Sequence, residues 1–180
     1  GFVKTLDEPR VLDLCAGTGC LGLGVKRFCP DAQVTCVEKS PEAFRYLEQN
    51  ARTALPGAAP AVQAVQGDLF TYWQSLPEGQ LDLIVSNPPY VASMDILTLD
   101  SSVRDYEPLG ALDGGEDGLM FYRAIVRHWT QILRPGGWLM FEVGEDQADA
   151  VMALMTEEKY TDVTALEDTA GIRRVVVGRI

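Results

Sequence analysis

Histidine is nearly missing from this sequence: His128 is the only one in 180 residues. Cysteine is sparse too. Cys15, Cys20, Cys29 and Cys36 all fall in the first fifth of the chain, and none forms a CxxC pair. With His128 far away in sequence, that pattern argues against a metal centre. Reduced thiols, buried or half-buried, in a cytoplasmic protein are the expectation instead. Positive charge is also scarce. Fifteen basic against twenty-six acidic residues give a net charge of −11. Broad binding to DNA or RNA needs a basic face, so direct nucleic-acid binding is disfavoured, although a local basic patch stays open. No apolar run approaches the roughly 18 residues needed to span a bilayer. The opening GFVKTLDEPR lacks the long apolar stretch of a signal peptide.

What is present suits one globular domain over residues 1–180. Apolar residues make up 47% and charged residues 23%, the usual balance for such a fold. A chain this long buries roughly 70% of its unfolded surface, so neither disulfide nor metal is needed to hold it.

Strand-like and helix-like segments alternate from end to end. Arg10–Leu14 is short and apolar and runs into a glycine cluster. Leu21, Val25 and Phe28 then recur at helical spacing. Gln33–Glu38 is a strand, followed by Ser40 as N-cap and Pro41 as first helical residue. Phe44, Leu47 and Ala51 share the face of that helix. Ala61–Gln66 and Leu81–Ser86 are further strands. Tyr122, Ile125, Val126, Trp129, Ile132 and Leu133 mark an amphipathic helix, which Pro135-Gly136-Gly137 is expected to end. Trp138–Val143 is a buried strand, and Ala148, Val151, Leu154 and Met155 lie on one more helix. Two late strands, near Tyr160–Leu166 and Ile172–Gly178, are joined by a turn at Asp168–Gly171. The repeated β-α-β pattern predicts a parallel sheet covered on both faces. A short turn cannot join parallel strands, so the last strand is predicted to run antiparallel, as a hairpin.

Gly17, Gly19 and Gly22 spell GxGxxG between the first strand and the first helix. The backbone there must turn tightly and let a ligand approach. A dinucleotide is the obvious candidate, with its pyrophosphate on the helix N-terminus. Asp13, four residues before Gly17, argues otherwise: a carboxylate repels a diphosphate and attracts a cation. S-adenosylmethionine (AdoMet) carries an ammonium and a sulfonium and no phosphate. Glu38 ends the second strand, where a carboxylate meets ribose hydroxyls. Asp68 follows the third strand and can accept from an adenine amino group, with Leu69 offering backbone and apolar surface. Taken singly, Asp13 could cap the turn, and Glu38 and Asp68 could be solvated acids. Together they follow three consecutive strands and line one crevice.

Asn87-Pro88-Pro89-Tyr90 follows the fourth strand. Its prolines fix two φ angles and remove two N–H donors, leaving a stiff, acceptor-rich backbone. A planar NH₂ group could donate to the Asn87 side chain and the Pro88 carbonyl while stacking on Tyr90. That suits an amide or exocyclic amine whose nitrogen attacks a methyl group.

On these motifs the chain resembles the catalytic domain of the HemK/PrmC family, the glutamine-N5 methyltransferases of peptide chain release factors. LDLCAGTGCLGL, VEKSPEA, GDLF, SNPPY, YEPLGALDGGEDGL and LRPGGWLMFEVG stand in the family's order and spacing, over about residues 10 to 180. NPPY alone is shared with enzymes that methylate amino groups of DNA and RNA; Tyr106–Leu119 is more discriminating, though its chemistry is not evident from its residues. The resemblance implies a Rossmann-like class I AdoMet-dependent fold, α/β, with a mostly parallel seven-stranded sheet, an antiparallel last strand and helices on both faces. It implies a cofactor loop of Cys15, Ala16, Gly17, Thr18 and Gly19. Glu38 would hold the ribose, and Asp68 with Leu69 would flank adenine. Asn87 would serve cofactor and substrate, with Pro88, Pro89 and Tyr90 completing the substrate pocket. Cys15 departs from the glycine commonest at its position, and Leu69 from the tryptophan of some members. The family's N-terminal helical domain is expected to be absent, since the chain begins almost at its first strand.

The expected activity is therefore methyl transfer from AdoMet to the glutamine amide of a release factor's Gly-Gly-Gln motif. Catalysis is expected from Asn87, Pro88 and Tyr90, with no metal and no role for His128. Rival readings are a DNA or RNA amino-methyltransferase, which should add a basic face, and an idle AdoMet-binding module, which intact NPPY disfavours. A dinucleotide oxidoreductase is disfavoured by Asp13.

Overall fold

A computed structural model of the protein describes residues 6–56 and 60–180. The first five residues of the opening segment lie outside the described residues. Seven strands form one sheet: β1 (Arg10–Leu14), β2 (Gln33–Glu38), β3 (Gln63–Gln66), β4 (Leu81–Ser86), β5 (Leu133–Glu142), β6 (Thr161–Glu167) and β7 (Arg173–Arg179). Their order is β3-β2-β1-β4-β5-β7-β6. The pairs from β3 to β5 are parallel, while β7 runs antiparallel to both β5 and β6. The late hairpin is thus as predicted, and β7 inserts between its hairpin partner and β5.

Side-chain alternation splits the core in two. Val11, Val34, Cys36, Leu83 and Val85 face α1 (Cys20–Phe28) and α2 (Pro41–Thr53). Leu12, Leu14, Ile84, Leu139 and Phe141 face α3 (Leu69–Tyr72), α6 (Met120–Trp129) and α7 (Ala148–Glu157). Trp129 is the largest fully buried side chain on that second face, and its indole N–H donates to the Leu69 carbonyl at 3.0 Å. Between β4 and α6 the chain crosses irregularly, with two single-turn helices, α4 (Ser101–Arg104) and α5 (Leu109–Leu112). Among the described residues no helix is long and apolar enough to cross a membrane.

Ser40 caps α2 as expected, its hydroxyl accepting from the Ala43 amide at 3.3 Å, with Pro41 at the first helical position. Elsewhere the structure corrects the sequence reading. Leu21 and Phe28 do not share the inner face of α1; Phe28 is 69% exposed. The helix docks through Gly22, where an added Cβ would stand 2.3 Å from Cys36 Sγ. That approach turns Gly22, Val25 and Cys29 inward and rotates Leu21 and Phe28 out. Cys20, at the solvent side of the same helix, is exposed rather than buried or half-buried. Strand β3 starts at Gln63, not Ala61. Pro135-Gly136-Gly137 does not end a helix. It lies inside β5, which begins at Leu133, and the β4 ladder jumps there from Leu81↔Leu133 to Leu83↔Trp138. Gly136 at φ 83° absorbs that bulge.

Candidate functional site

The sheet order reverses between β1 and β4, so the connections leaving these neighbours pass to opposite faces and open a crevice beyond their C-terminal ends. The sequence-predicted residues lie at or just after the C-terminal ends of their strands. Two surface hollows lie at the other end of the sheet, one lined by Glu8, Lys26, Asp31 and Gln33, the other by Arg10, Leu12, Tyr72 and Leu81. Strand topology, not concavity, locates the site.

The loop after β1 is built for tight turning. Gly17 and Gly19 have φ of 55° and 91°, and Cys15 itself sits at φ 56°. Such a conformation is easy for glycine and costs other residues about 1 kcal/mol or more. Cys15 tolerates it because its side chain packs against the core. Burial, then the Glu38 charge, push its thiol up, so it stays protonated. Glu38 organises the loop: Oε2 accepts from the Gly17 amide at 2.8 Å and Oε1 from the Ser40 amide at 2.7 Å. Each oxygen keeps a lone pair for a further donor. Asn50 Nδ2 donates to the Thr18 carbonyl at 2.9 Å, and Ala16 donates to the Val37 carbonyl at 3.0 Å.

Asp68 stands across the crevice after β3. It caps α3 through the Phe70 amide at 3.0 Å and pairs with Lys39 at 2.9 Å. Burial raises its carboxyl, but the Phe70 amide and the Lys39 ammonium outweigh it and hold the group below the usual range. Two predicted residues are placed inside rather than on the crevice wall. Leu69 is 6% exposed, with its side chain in the core and its carbonyl taken by Trp129. Asp13 is 1% exposed. Its parity on β1 points it at α1, and Oδ2 accepts from the Gly22 amide at 2.8 Å. Oδ1 is buried with no hydrogen-bond partner; the Cys36 thiol beside the carboxyl is a weak donor. Burial and, less strongly, the Glu38 charge push Asp13 up to about 7 against the opposing Gly22 bond.

NPPY is placed beside this cradle. Ser86, the last residue of β4, donates its hydroxyl to the Leu14 carbonyl at 2.7 Å in a buried bond. That stitch ties the end of β4 to the end of β1, immediately below Asn87 and Cys15. Asn87 is exposed, Pro88 and Pro89 are buried, and Tyr90 is half-buried. The two halves of Tyr106–Leu119 differ. Between Met94 and Leu109 Ile96 is buried, but Met94, Leu97, Tyr106 and Leu109 are exposed. From Leu112 onward it folds back on NPPY. Val91 donates to the Leu112 carbonyl at 2.9 Å and accepts from Gly114 at 2.8 Å, and Ser93 Oγ donates to Asp113 at 2.7 Å. Gln147, which follows β5, bonds to the Tyr90 carbonyl at 2.8 Å. No sequence motif pointed to Gln147. His128 takes no place near the crevice and stacks on Trp73 at 5.1 Å.

Comparison with known proteins agrees with this fold. The chain is 44% identical over 170 residues to a release factor glutamine methyltransferase of Geobacter sulfurreducens, covering 94% of this chain and 57% of the relative. It spans 57 to 61% of the length of that relative and of similarly described proteins from Clostridium acetobutylicum and Thermodesulfovibrio yellowstonii. A protein-(glutamine-N5) methyltransferase (release factor-specific) from Alicyclobacillus acidocaldarius superposes with a TM-score of 0.58 at 26% identity, covering 99% of this chain and 84% of that one. A methyltransferase from Pyrococcus furiosus shares the fold, with a TM-score of 0.69 at 19% identity over 99% of this chain and 79% of its own. Residues 2–100, which contain the glycine loop, Glu38, Asp68 and NPPY, match the model of the methyltransferase small domain family, and the chain belongs to that family.

Proposed function

We propose that this chain carries the catalytic site of a release factor glutamine methyltransferase. The reaction is methyl transfer from AdoMet to the N5 nitrogen of the glutamine in a Gly-Gly-Gln motif. The observation that carries the reading is the exposed Asn87 on a proline-stiffened turn, tied to the cofactor loop through Ser86 and Leu14. Relatives described as release factor glutamine methyltransferases support the substrate class.

The residues fit AdoMet. Glu38 and Asp68 line the crevice with negative charge, and the nearby cation, Lys39, is already paired to Asp68. A diphosphate finds no free counter-ion in that arrangement, whereas a cationic ligand does. Glu38 would hold ribose hydroxyls through its remaining lone pairs, the Cys15–Gly19 loop would take the methionine end, and Asp68 would lie at the adenine. AdoMet supplies an electrophilic methyl group when bound.

An amide nitrogen is a poor nucleophile because its lone pair is delocalised into the carbonyl. The Asn87 side-chain oxygen and the Pro88 carbonyl accept the two NH₂ hydrogens and favour the localised form as the N–C bond develops. Tyr90 stacks on the amide plane. Proximity and alignment supply much of the remaining acceleration. No base is needed before attack, because the nitrogen becomes acidic once methylated and loses its proton to water. The exposed apolar side chains Met94, Leu97, Tyr106 and Leu109, in the segment that follows NPPY, suit a protein substrate. With a release factor as its substrate, the chain would act in the cytoplasm.

Labelled AdoMet with purified release factor tests the reading. Label should enter the release factor and vanish when the Gly-Gly-Gln glutamine is replaced. Label in duplex DNA and none in release factor overturns it.

A further inference from the structure

The two prolines of NPPY have no N–H to donate, which leaves the turn few donors of its own. Gln147 holds it from outside. Gln147 ends a tight turn after β5, its amide donating to the Gly144 carbonyl at 3.0 Å. It occupies the N-cap of α7, yet its side chain caps nothing. Nε2 donates instead to the Tyr90 carbonyl at 2.8 Å and to the Gly118 carbonyl at 3.3 Å, while Oε1 accepts from the Gly144 amide at 3.1 Å. One half-buried side chain thereby joins NPPY, the Asp113–Leu119 loop and the end of β5.

The packing around it is backbone on backbone. A Cβ on Gly118 would fall 2.4 Å from the Tyr90 carbonyl oxygen and 2.6 Å from Gln147 Nε2. One on Gly114 would fall 2.8 Å from Tyr90 Cα, and one on Gly144 would fall 2.9 Å from Gln147 Oε1. Gly118 also has φ 73°. Three glycines from two separate segments thus let the backbones close on one amide. The chemistry requires an amide: both of its N–H groups face carbonyl oxygens and its oxygen faces an N–H. A carboxylate would lose both donors and set negative charge against two carbonyls.

We infer that Gln147 is a positioning residue for the substrate pocket: by clamping the Tyr90 carbonyl it sets the Tyr90 ring and the acceptors of NPPY. It touches no substrate atom, and this role rests on the methyl-transfer reading above. Gln147→Glu, nearly isosteric, and Gln147→Ala, uncharged, test it together by amide hydrogen exchange and by methyl-transfer kinetics. The Val91 and Gly114 amides should exchange about tenfold faster or more, while those of β1 and β4 keep their rates. Saturated turnover on release factor should fall about tenfold or more, the scale of a small misplacement at a reacting centre. AdoMet affinity should stay within about twofold, since the side chain of Gln147 bonds to Tyr90, Gly118 and Gly144 and to no residue of the glycine loop. If Gln147→Glu fails to fold, Gln147→Ala carries the same measurements. Unchanged exchange, or turnover and AdoMet affinity falling together, overturns the assignment. A wild-type chain that methylates no release factor defeats the substrate reading instead, and the exchange rates alone then decide whether the clamp exists.

Discussion

Replacing Asp13 by asparagine should stabilise the protein at pH 8 and destabilise it below pH 4. The carboxyl is 1% exposed, one oxygen lacks a partner, and its pKa is pushed up to about 7 from 3.8. In the unfolded chain the group ionises near 3.8. Between that value and 7 the folded state holds a proton that the unfolded state has lost, so stability from this group falls as pH rises through the window. Above 7 both states are ionised and the folded state bears the whole penalty. A displacement of about three pH units corresponds to about 4 kcal/mol at 1.4 kcal/mol per unit. Asparagine keeps the acceptor for the Gly22 amide and never ionises, but its NH₂ takes the place of Oδ1, which is buried without a hydrogen-bond partner. That mismatch costs about 1–3 kcal/mol. The variant should therefore lose stability below pH 4 and gain about 2 kcal/mol at pH 8. Urea denaturation followed by circular dichroism, on both proteins from pH 4 to 8, measures the difference directly, and titrating groups that do not interact with Asp13 cancel in it. A difference that stays flat with pH refutes the reasoning. The same penalty should be partly returned by a cationic ligand, so AdoMet affinity should climb from pH 6 to 8 in the wild type and not in the variant.

Glu38→Ala should weaken AdoMet binding by about 1–3 kcal/mol in calorimetry, because it removes both the proposed ribose acceptor and the acceptor of the Gly17 amide; NAD binding as tight as AdoMet would contradict the cofactor assignment. Asn87→Ala should cut turnover about 10²-fold or more, and AdoMet affinity should fall as well if the side chain also reaches the methionine end. Tyr90→Ala should leave AdoMet binding within about threefold and lower kcat/KM for release factor, stacking being worth roughly 0.5–1.5 kcal/mol. Wild-type methylation by Tyr90→Ala would reduce NPPY to a rigid strand exit.

The fold was legible where one periodicity ruled a segment. Strands β1, β2 and β4 have the limits their apolar runs suggested, and Ser40-Pro41 marked a helix start because both act locally. Phe28 misled because α1 is oriented by a close approach at Gly22, and a glycine adds nothing to an apolar pattern. Pro135-Gly136-Gly137 carries the signature of a helix end, yet the sheet continues through it as a bulge. Asp13, Glu38 and Asp68 stand out in the sequence by their place at or after the ends of consecutive strands. Whether a side chain points into the crevice or beneath it depends on strand parity and packing, which is why Asp13 and Leu69 turned out to be buried. Gln147 was invisible because its partners lie 57 and 29 residues away and are backbone carbonyls.

The insertion of β7 between β5 and β6 has a consequence for the order of synthesis. As the chain leaves the ribosome, β5 emerges early and β6 later, but the strand that separates them comes last. Until residues 173–179 appear, the outer edge of β5 has no ladder partner and β6 cannot join the sheet at all. That edge carries Trp138, Leu139, Met140 and Phe141, an apolar stretch of high strand propensity. An unpaired edge of this kind recruits other strands, including those of neighbouring nascent chains. Closure of the whole sheet thus waits on its final strand, and a polypeptide halted before Arg173 presents a sticky, half-built surface in place of a slightly shortened domain.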